Sequence, residues 1–161
     1  MISKIKLIAL DVDGVLTNGD ISYTSTGEEI KTFNVKDGLG LVQAAQNGFI
    51  TVLITGRESP MVEKRGKELK IRHIYQNAKD KTKVIEELIA LYSLTVEEIC
   101  YMGDDLPDIP VLKIVGLSCC PLDATSEVKE ICGWISSREG GKGAVRELTD
   151  FLISPIQQNS H

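Results

Sequence analysis

The stretch Leu7-Ile8-Ala9-Leu10-Asp11-Val12-Asp13-Gly14-Val15-Leu16-Thr17 decides the fold. Its apolar run suits a strand buried on both faces, and the run ends in two carboxylates one residue apart, then a glycine that permits a sharp turn. Parallel sheets gather their chemistry at the carboxyl ends of strands. Asp11 and Asp13 placed there share a crevice, where their charges call for a cation between them or a proton on one of them. An Asx turn closing a strand uses the same residue types, so the motif alone leaves both uses open. A calcium-binding EF-hand loop does not fit, because its fifth and sixth positions need an oxygen ligand and glycine where this chain has Val15 and Leu16.

Outward from that strand, residues 18–35 contain two alternating runs around a polar turn at Gly27, the pattern of a β-hairpin. A two-stranded ribbon is marginal alone in water, so it needs a surface to pack on, either its own domain or another subunit. From Lys36-Asp37-Gly38 the residues Leu39, Leu41, Val42, Ala44 and Ala45 give a helical apolar face that stops at Asn47-Gly48. Phe49 to Ile54 reads as a second buried strand closed by Thr55-Gly56-Arg57, and Ser59-Pro60 as the cap and first residue of a helix through Leu69. A short strand at His73-Ile74-Tyr75 precedes a helix over Lys81 to Tyr92, capped by Asp80. Ile99 to Met102 is a strand ending in Gly103-Asp104-Asp105, followed by a helix over Asp108 to Val115. A strand at Gly116 to Cys119, a helix at Ser126 to Ile131, a strand at Gly133 to Ile135 and a helix at Gly143 to Ile153 complete the alternation. The predicted fold is an α/β doubly wound parallel sheet covered on both faces, one domain over residues 1–154 with a small β-hairpin insertion and a flexible polar tail over 155–161.

A length of 161 residues suits one domain. The 18 basic and 23 acidic residues leave a net charge of −5 with no basic stripe, which argues against a nucleic-acid partner. The apolar runs are far shorter than the roughly 20 residues that span a bilayer, and the start Met-Ile-Ser-Lys-Ile-Lys lacks a signal-peptide layout, so a cytoplasmic protein with no membrane partner is expected. Cys100, Cys119, Cys120 and Cys132 have no Cys-x-x-Cys spacing and are expected as reduced thiols; His73 is expected as a packed or edge residue, not a ligand.

Four strand ends or helix starts thus carry polar groups: Asp11 with Asp13, Thr55-Gly56, Lys81, and Asp104-Asp105. A doubly wound sheet brings such ends to one edge. The set suits phosphoryl transfer. One aspartate can attack phosphorus and the other can protonate the leaving oxygen. A hard divalent ion, Mg²⁺, held by Asp11, Asp104 and the backbone carbonyl of Asp13, offsets the repulsion between carboxylate and phosphate. Thr55, the Gly56 amide and the Lys81 ammonium would bind the remaining phosphoryl oxygens, and Asp105 would orient the metal cluster.

Asp11-Val12-Asp13-Gly14-Val15-Leu16-Thr17, Thr55-Gly56-Arg57, Lys81 and Gly103-Asp104-Asp105 resemble the four motifs of the haloacid dehalogenase superfamily, with an acid at position 13 as in its phosphatases. Over nearly the whole chain, Phe33-Asn34-Val35-Lys36-Asp37-Gly38, Ile74-Tyr75-Gln76-Asn77 and Gly140-Gly141-Lys142-Gly143-Ala144-Val145-Arg146-Glu147 resemble the 3-deoxy-D-manno-octulosonate 8-phosphate (KDO 8-phosphate) phosphatase family, small members without a large cap domain. That resemblance implies a Rossmann-like core, hydrolysis of a small acidic sugar phosphate in lipopolysaccharide precursor synthesis, and a homotetramer built through the hairpins in which a neighbour covers each site. It makes Arg57 a partner for the substrate carboxylate, extends the candidate substrate contacts to Asn34, Lys36, Asp37 and Lys142, and suggests that the glycine-rich segment 140–143 brings Lys142 or Arg146 toward a site. Two other functions use similar residues: a phosphatase for a nine-carbon nonulosonate 9-phosphate, and a phospho-accepting signalling module.

Overall fold

The structure, a computed structural model, describes residues 2–158. Six parallel strands form one sheet in the order β5-β4-β1-β6-β7-β8. They are β1 (Leu7–Leu10), β4 (Ile50–Ile54), β5 (His73–Tyr75), β6 (Ile99–Met102), β7 (Leu117–Cys120) and β8 (Trp134–Ile135). The other two strands, β2 (Ser22–Tyr23) and β3 (Glu29–Ile30), make the antiparallel hairpin. The helices are α1 (Val35–Gln46), α2 (Pro60–Glu68), α3 (Lys81–Tyr92), α4 (Ile109–Leu112), α5 (Ser126–Ile131) and α6 (Ala144–Gln158).

β1 lies at the centre because all four of its residues are fully apolar and buried, a composition that only a strand covered on both faces can use. Its side chains alternate between two cores. Ile8 and Leu10 pack with Leu41, Ala44, Leu148 and Leu152 of α1 and α6, while Leu7 and Ala9 pack with Ile85, Leu88, Val111 and Val128 of α3, α4 and α5. The chain moves outward from β1 in one direction through β4 and in the other through β6. The crevice between those two directions therefore opens at the carboxyl end of β1, directly after Leu10.

The local stop and start residues act as expected at most junctions. Ser59 caps α2 with Pro60 behind it, Asp80 caps α3, and Asn47 closes α1. His73 sits on the edge strand β5, with its Nε2 2.5 Å from the Tyr92 hydroxyl. The four cysteines are free thiols, Cys100 and Cys119 having sulfurs 3.6 Å apart.

Three expectations change. The helix after β6 is shorter than 108–115, because Leu106–Asp108 forms a 3₁₀ turn that Asp105 and Asp108 cap, and only Ile109–Leu112 is α-helical. α6 runs through Pro155 to Gln158, where a tail was expected, since Pro155 and Ile156 line one groove with Ile2, Ile5 and Phe49. Residues 159–161 of that expected tail lie outside the described residues. The segment 140–143 is no loose arm. Gly140 packs so closely on the first loop that a Cβ there would lie 1.9 Å from the Gly14 carbonyl oxygen, and the Gly141 N–H donates to Val15 O at 2.9 Å.

Asp37 explains how α1 and α6 are joined. Fully buried, its carboxylate accepts from the Arg146 N–H at 2.9 Å and the Gly143 N–H at 3.4 Å, capping α6 from a distant part of the chain. Burial raises the Asp37 pKa and these amide bonds oppose the rise. Asp37→Ala is expected to lower stability by about 1–3 kcal/mol, read as a lower urea midpoint with unchanged slope, because it strands those amides.

Candidate active site

The cleft at the carboxyl edge of the sheet has a volume of about 490 Å³ and gathers Asp11, Asp13, Thr55, Gly56, Arg57, Lys81, Asp104 and Asp105, along with Asp108. Asp11 leaves β1 with one oxygen fixed by the Val12 N–H at 2.7 Å and the other 3.0 Å from Lys81 Nζ. The turn that follows is set by Gly14 at φ +84°; a Cβ there would fall 1.9 Å from Asp104 Oδ2, so only glycine lets the two loops meet. Thr17, buried, closes the same turn, its Oγ1 accepting from the Gly14 and Gly19 amides. Thr55, buried, directly follows β4, while Gly56 beside it is exposed to the cleft.

Asp108 is a residue of the cleft that the sequence did not single out. Its Oδ1 takes Lys81 Nζ at 2.7 Å and the Tyr101 hydroxyl at 2.5 Å, and its Oδ2 takes the Asp104 and Asp105 amides at 2.9 and 3.3 Å. Oxygens of Asp11, Asp104 and Asp108 lie within 4.8 Å of one another. An all-oxygen donor set of this kind fits a hard divalent cation. Asp108 already accepts four hydrogen bonds, so its role is to brace Lys81 and the Asp104 loop, and Asp11 and Asp104 are left as the carboxylates best able to bind the ion. Asp108 thus holds the backbone of the Asp104-Asp105 loop, while the Asp105 carboxylate, expected to orient the metal cluster, accepts from the Leu106 amide at the cleft rim. The spacing Asp104-x-x-x-Asp108 was visible, but it also fits the start of a helix.

Electrostatics follow from three acids around one base. Burial and the Asp108 charge push Asp11 up to about 7 against the pull of Lys81. Burial, then Asp11, Asp108 and Asp105, push Asp104 up to about 8. Burial lowers the Lys81 pKa, yet Asp11 and Asp108 more than compensate, so it stays a cation. Burial and the same carboxylates drive the Tyr101 phenol well above its usual range and keep it a donor.

A second missed residue is Lys31, which follows β3. Its Nζ reaches Asp13 Oδ1 at 2.6 Å and Glu29 Oε1 at 3.0 Å, and Glu29 Oε1 also meets Arg57 Nη2 at 3.2 Å. Glu29 and Lys31 share one face of the hairpin by the period of two, which was the available clue. The other expected substrate contacts are not brought to this cleft. Asn34 caps α1 by accepting from the Lys36 and Asp37 amides, Asp37 anchors α6, Lys36 is exposed, and Lys142 is exposed and paired with Glu139 at 2.7 Å. Arg146 pairs with Asp150 at 3.0 Å.

An aspartate pair at the end of the central parallel strand, a buried lysine at the start of α3 and an acidic loop after β6 together define a phosphoryl-transfer hydrolase of the haloacid dehalogenase class. A haloacid dehalogenase-like hydrolase family profile matches residues 70–148. The chain is 40% identical over 150 residues to the 3-deoxy-D-manno-octulosonate 8-phosphate phosphatase KdsC of Escherichia coli strain K12, covering 93% of this chain and 80% of that protein. It superposes on the Moraxella catarrhalis enzyme of that name, solved with magnesium, phosphate and KDO, with a TM-score of 0.93 and 39% identity over 95% of this chain and 88% of that one. The Yersinia pestis enzyme gives a TM-score of 0.95 and 37% identity over 98% and 85% of the two chains. The chain belongs to the KDO 8-phosphate phosphatase family of haloacid dehalogenase-like hydrolases, and it is a phosphatase.

Proposed function

We propose that the chain hydrolyses KDO 8-phosphate to KDO and inorganic phosphate, using Mg²⁺, within the cytoplasmic synthesis of lipopolysaccharide precursors. The observation that carries this reading is the Asp11 carboxylate at the end of β1, held 3.0 Å from a buried lysine and beside a second acid within one cleft. The magnesium, phosphate and KDO in the Moraxella relative support the same substrate and ion.

An oxygen of Asp11 attacks phosphorus and the bond to the sugar oxygen breaks, leaving an aspartyl phosphate. Asp13 gives its proton to the departing sugar oxygen. It then takes a proton from the water that attacks the same phosphorus, and the bond to Asp11 breaks to release phosphate and the free carboxylate. Lys81, Thr55 and the Gly56 amide hold phosphoryl oxygens where negative charge gathers. Asp11, Asp104 and the Asp13 backbone carbonyl would hold Mg²⁺, whose positive charge would offset the repulsion between the attacking carboxylate and a phosphate dianion.

Arg57, exposed enough to turn from Glu29 toward a ligand, binds the sugar carboxylate as a planar fork. Arg57→Met is therefore expected to raise KM for KDO 8-phosphate about 10- to 100-fold with kcat nearly unchanged, the pattern of lost uniform binding. The hairpin residues Ile21, Tyr23 and Ile30, each at least half exposed, form the contact of a homotetramer whose neighbours cover the clefts. Purified protein assayed for released phosphate against KDO 8-phosphate, a nonulosonate 9-phosphate and neutral sugar phosphates, with Mg²⁺ or chelator, tests the function. Fastest Mg²⁺-dependent turnover of the eight-carbon acid supports it, and preference for the nine-carbon acid or a stable phosphoprotein overturns it.

A further inference from the structure

The mechanism above leaves Lys31 and Glu29 unused, although Lys31 is among the most deeply held cations in the protein. Its side chain is 3% exposed and spans two carboxylates, Asp13 Oδ1 at 2.6 Å and Glu29 Oε1 at 3.0 Å, while Arg57 closes the row at 3.2 Å from Glu29. The four charges alternate in sign from contact to contact, from Asp13 through Lys31 and Glu29 to Arg57. Hiding an ammonium is costly unless partners compensate, and here one partner, Asp13, lines the cleft. β2 and β3 pair over only two residues each, too little to hold the hairpin by itself.

We propose that Lys31 is a positioning residue that fixes the Asp13 carboxyl for proton transfer, the same bond holding the hairpin to the first loop while Glu29 holds it to Arg57. The inference rests on the reading of Asp13 as proton donor. Lys31 occupies Oδ1, so the proton that Asp13 exchanges belongs to Oδ2, the oxygen left for the leaving group. A free carboxyl rotates about its last torsion; one oxygen pinned by a charged donor removes that freedom at each turnover. Glu29 is shared by Lys31 and Arg57. A ligand carboxylate at Arg57 thus competes with Glu29 and leaves the Lys31 contact to Asp13 in place.

The test compares leaving groups in one protein sample. Ribose 5-phosphate has a poor alkoxide leaving group and no carboxylate for Arg57, whereas 4-nitrophenyl phosphate releases an anion that needs no proton. In Lys31→Met, kcat/KM for ribose 5-phosphate is expected to fall about 30- to 100-fold, and for 4-nitrophenyl phosphate less than about threefold. The ratio of the two constants does not depend on the folded fraction, so a purely structural defect leaves it unchanged. Lys31→Arg, which keeps the charge, is expected to restore most of the ratio. Equal losses on both esters, or no loss on either, overturn the proposal. Asp13→Asn supplies the control on the underlying reading: if it hydrolyses ribose 5-phosphate at the wild-type rate, Asp13 is not the acid and the inference falls with that assignment, while the phosphatase activity stands.

Discussion

Asp11→Asn is expected to lower kcat for phosphate-ester hydrolysis by at least about 10⁴-fold while leaving the fold intact. The amide matches the carboxylate in shape and can still accept the Val12 N–H that now bonds Asp11 at 2.7 Å, but it cannot form an acyl phosphate. The stability change has a definite sign. In metal-free protein the wild-type carboxyl is pushed up to about 7 by burial and by Asp108, so a neutral side chain there relieves repulsion. With metal chelated at pH 8, Asp11→Asn is thus expected to melt no lower than the wild type. Loss of activity together with unfolding would show instead that Asp11 is a structural residue; near-wild-type turnover would remove the covalent route.

Chelation of the metal is expected to lower activity about a thousandfold or more, the loss of roughly 4 kcal/mol of charge stabilisation, and it should also reverse the usual pH dependence of stability. Most carboxylates in folded proteins lie below their unfolded pKa and stabilise as pH rises. Here Asp11 and Asp104 lie above it, at about 7 and about 8 against 3.8. Between pH 4 and pH 8 the folded chain therefore holds more protons at these sites than the unfolded chain, and stability falls as pH rises through that window. With chelator, the melting temperature at pH 8 is expected to lie below that at pH 5 by at least about 5 °C, a loss of no less than about 2 kcal/mol. Mg²⁺ should raise the melting temperature more at pH 8 than at pH 5, because at low pH it competes with protons for Asp11 and Asp104. A chelated protein whose stability rises steadily from pH 5 to pH 8 would contradict the strained acidic cluster.

The parts legible in the sequence share a physical reason. β1 announces itself because Leu7-Ile8-Ala9-Leu10 has no polar face to expose, and α2 and α3 because Ser59-Pro60 and Asp80 do the work of caps at fixed places. Asp11, Thr55, Lys81 and Asp104 stand at strand ends or a helix start, so the parallel topology alone brings them to one crevice. What stayed hidden depends on contacts between distant segments. Asp108 looks like a helix-start acid until the buried Tyr101 hydroxyl and Lys81 are seen to converge on it. Lys31 looks like one more solvated hairpin lysine until the ribbon folds over Asp13. Asp37, in a motif resembling a substrate loop, gave no hint in sequence that it caps α6 from over 100 residues away. Pro155 misled in another way, since its cost to a helix was visible and the apolar groove that receives it was not.

The covalent role of Asp11 is tested most directly by rapid quench of a single turnover with ³²P-labelled KDO 8-phosphate and Mg²⁺, followed by peptide mapping. Label that forms and decays on the peptide containing Asp11 at the rate of product release, and that hydroxylamine removes, is the expected result. Complete hydrolysis in that turnover with no label on the protein at any time, under conditions where water attack on the intermediate is the slower step, would contradict it.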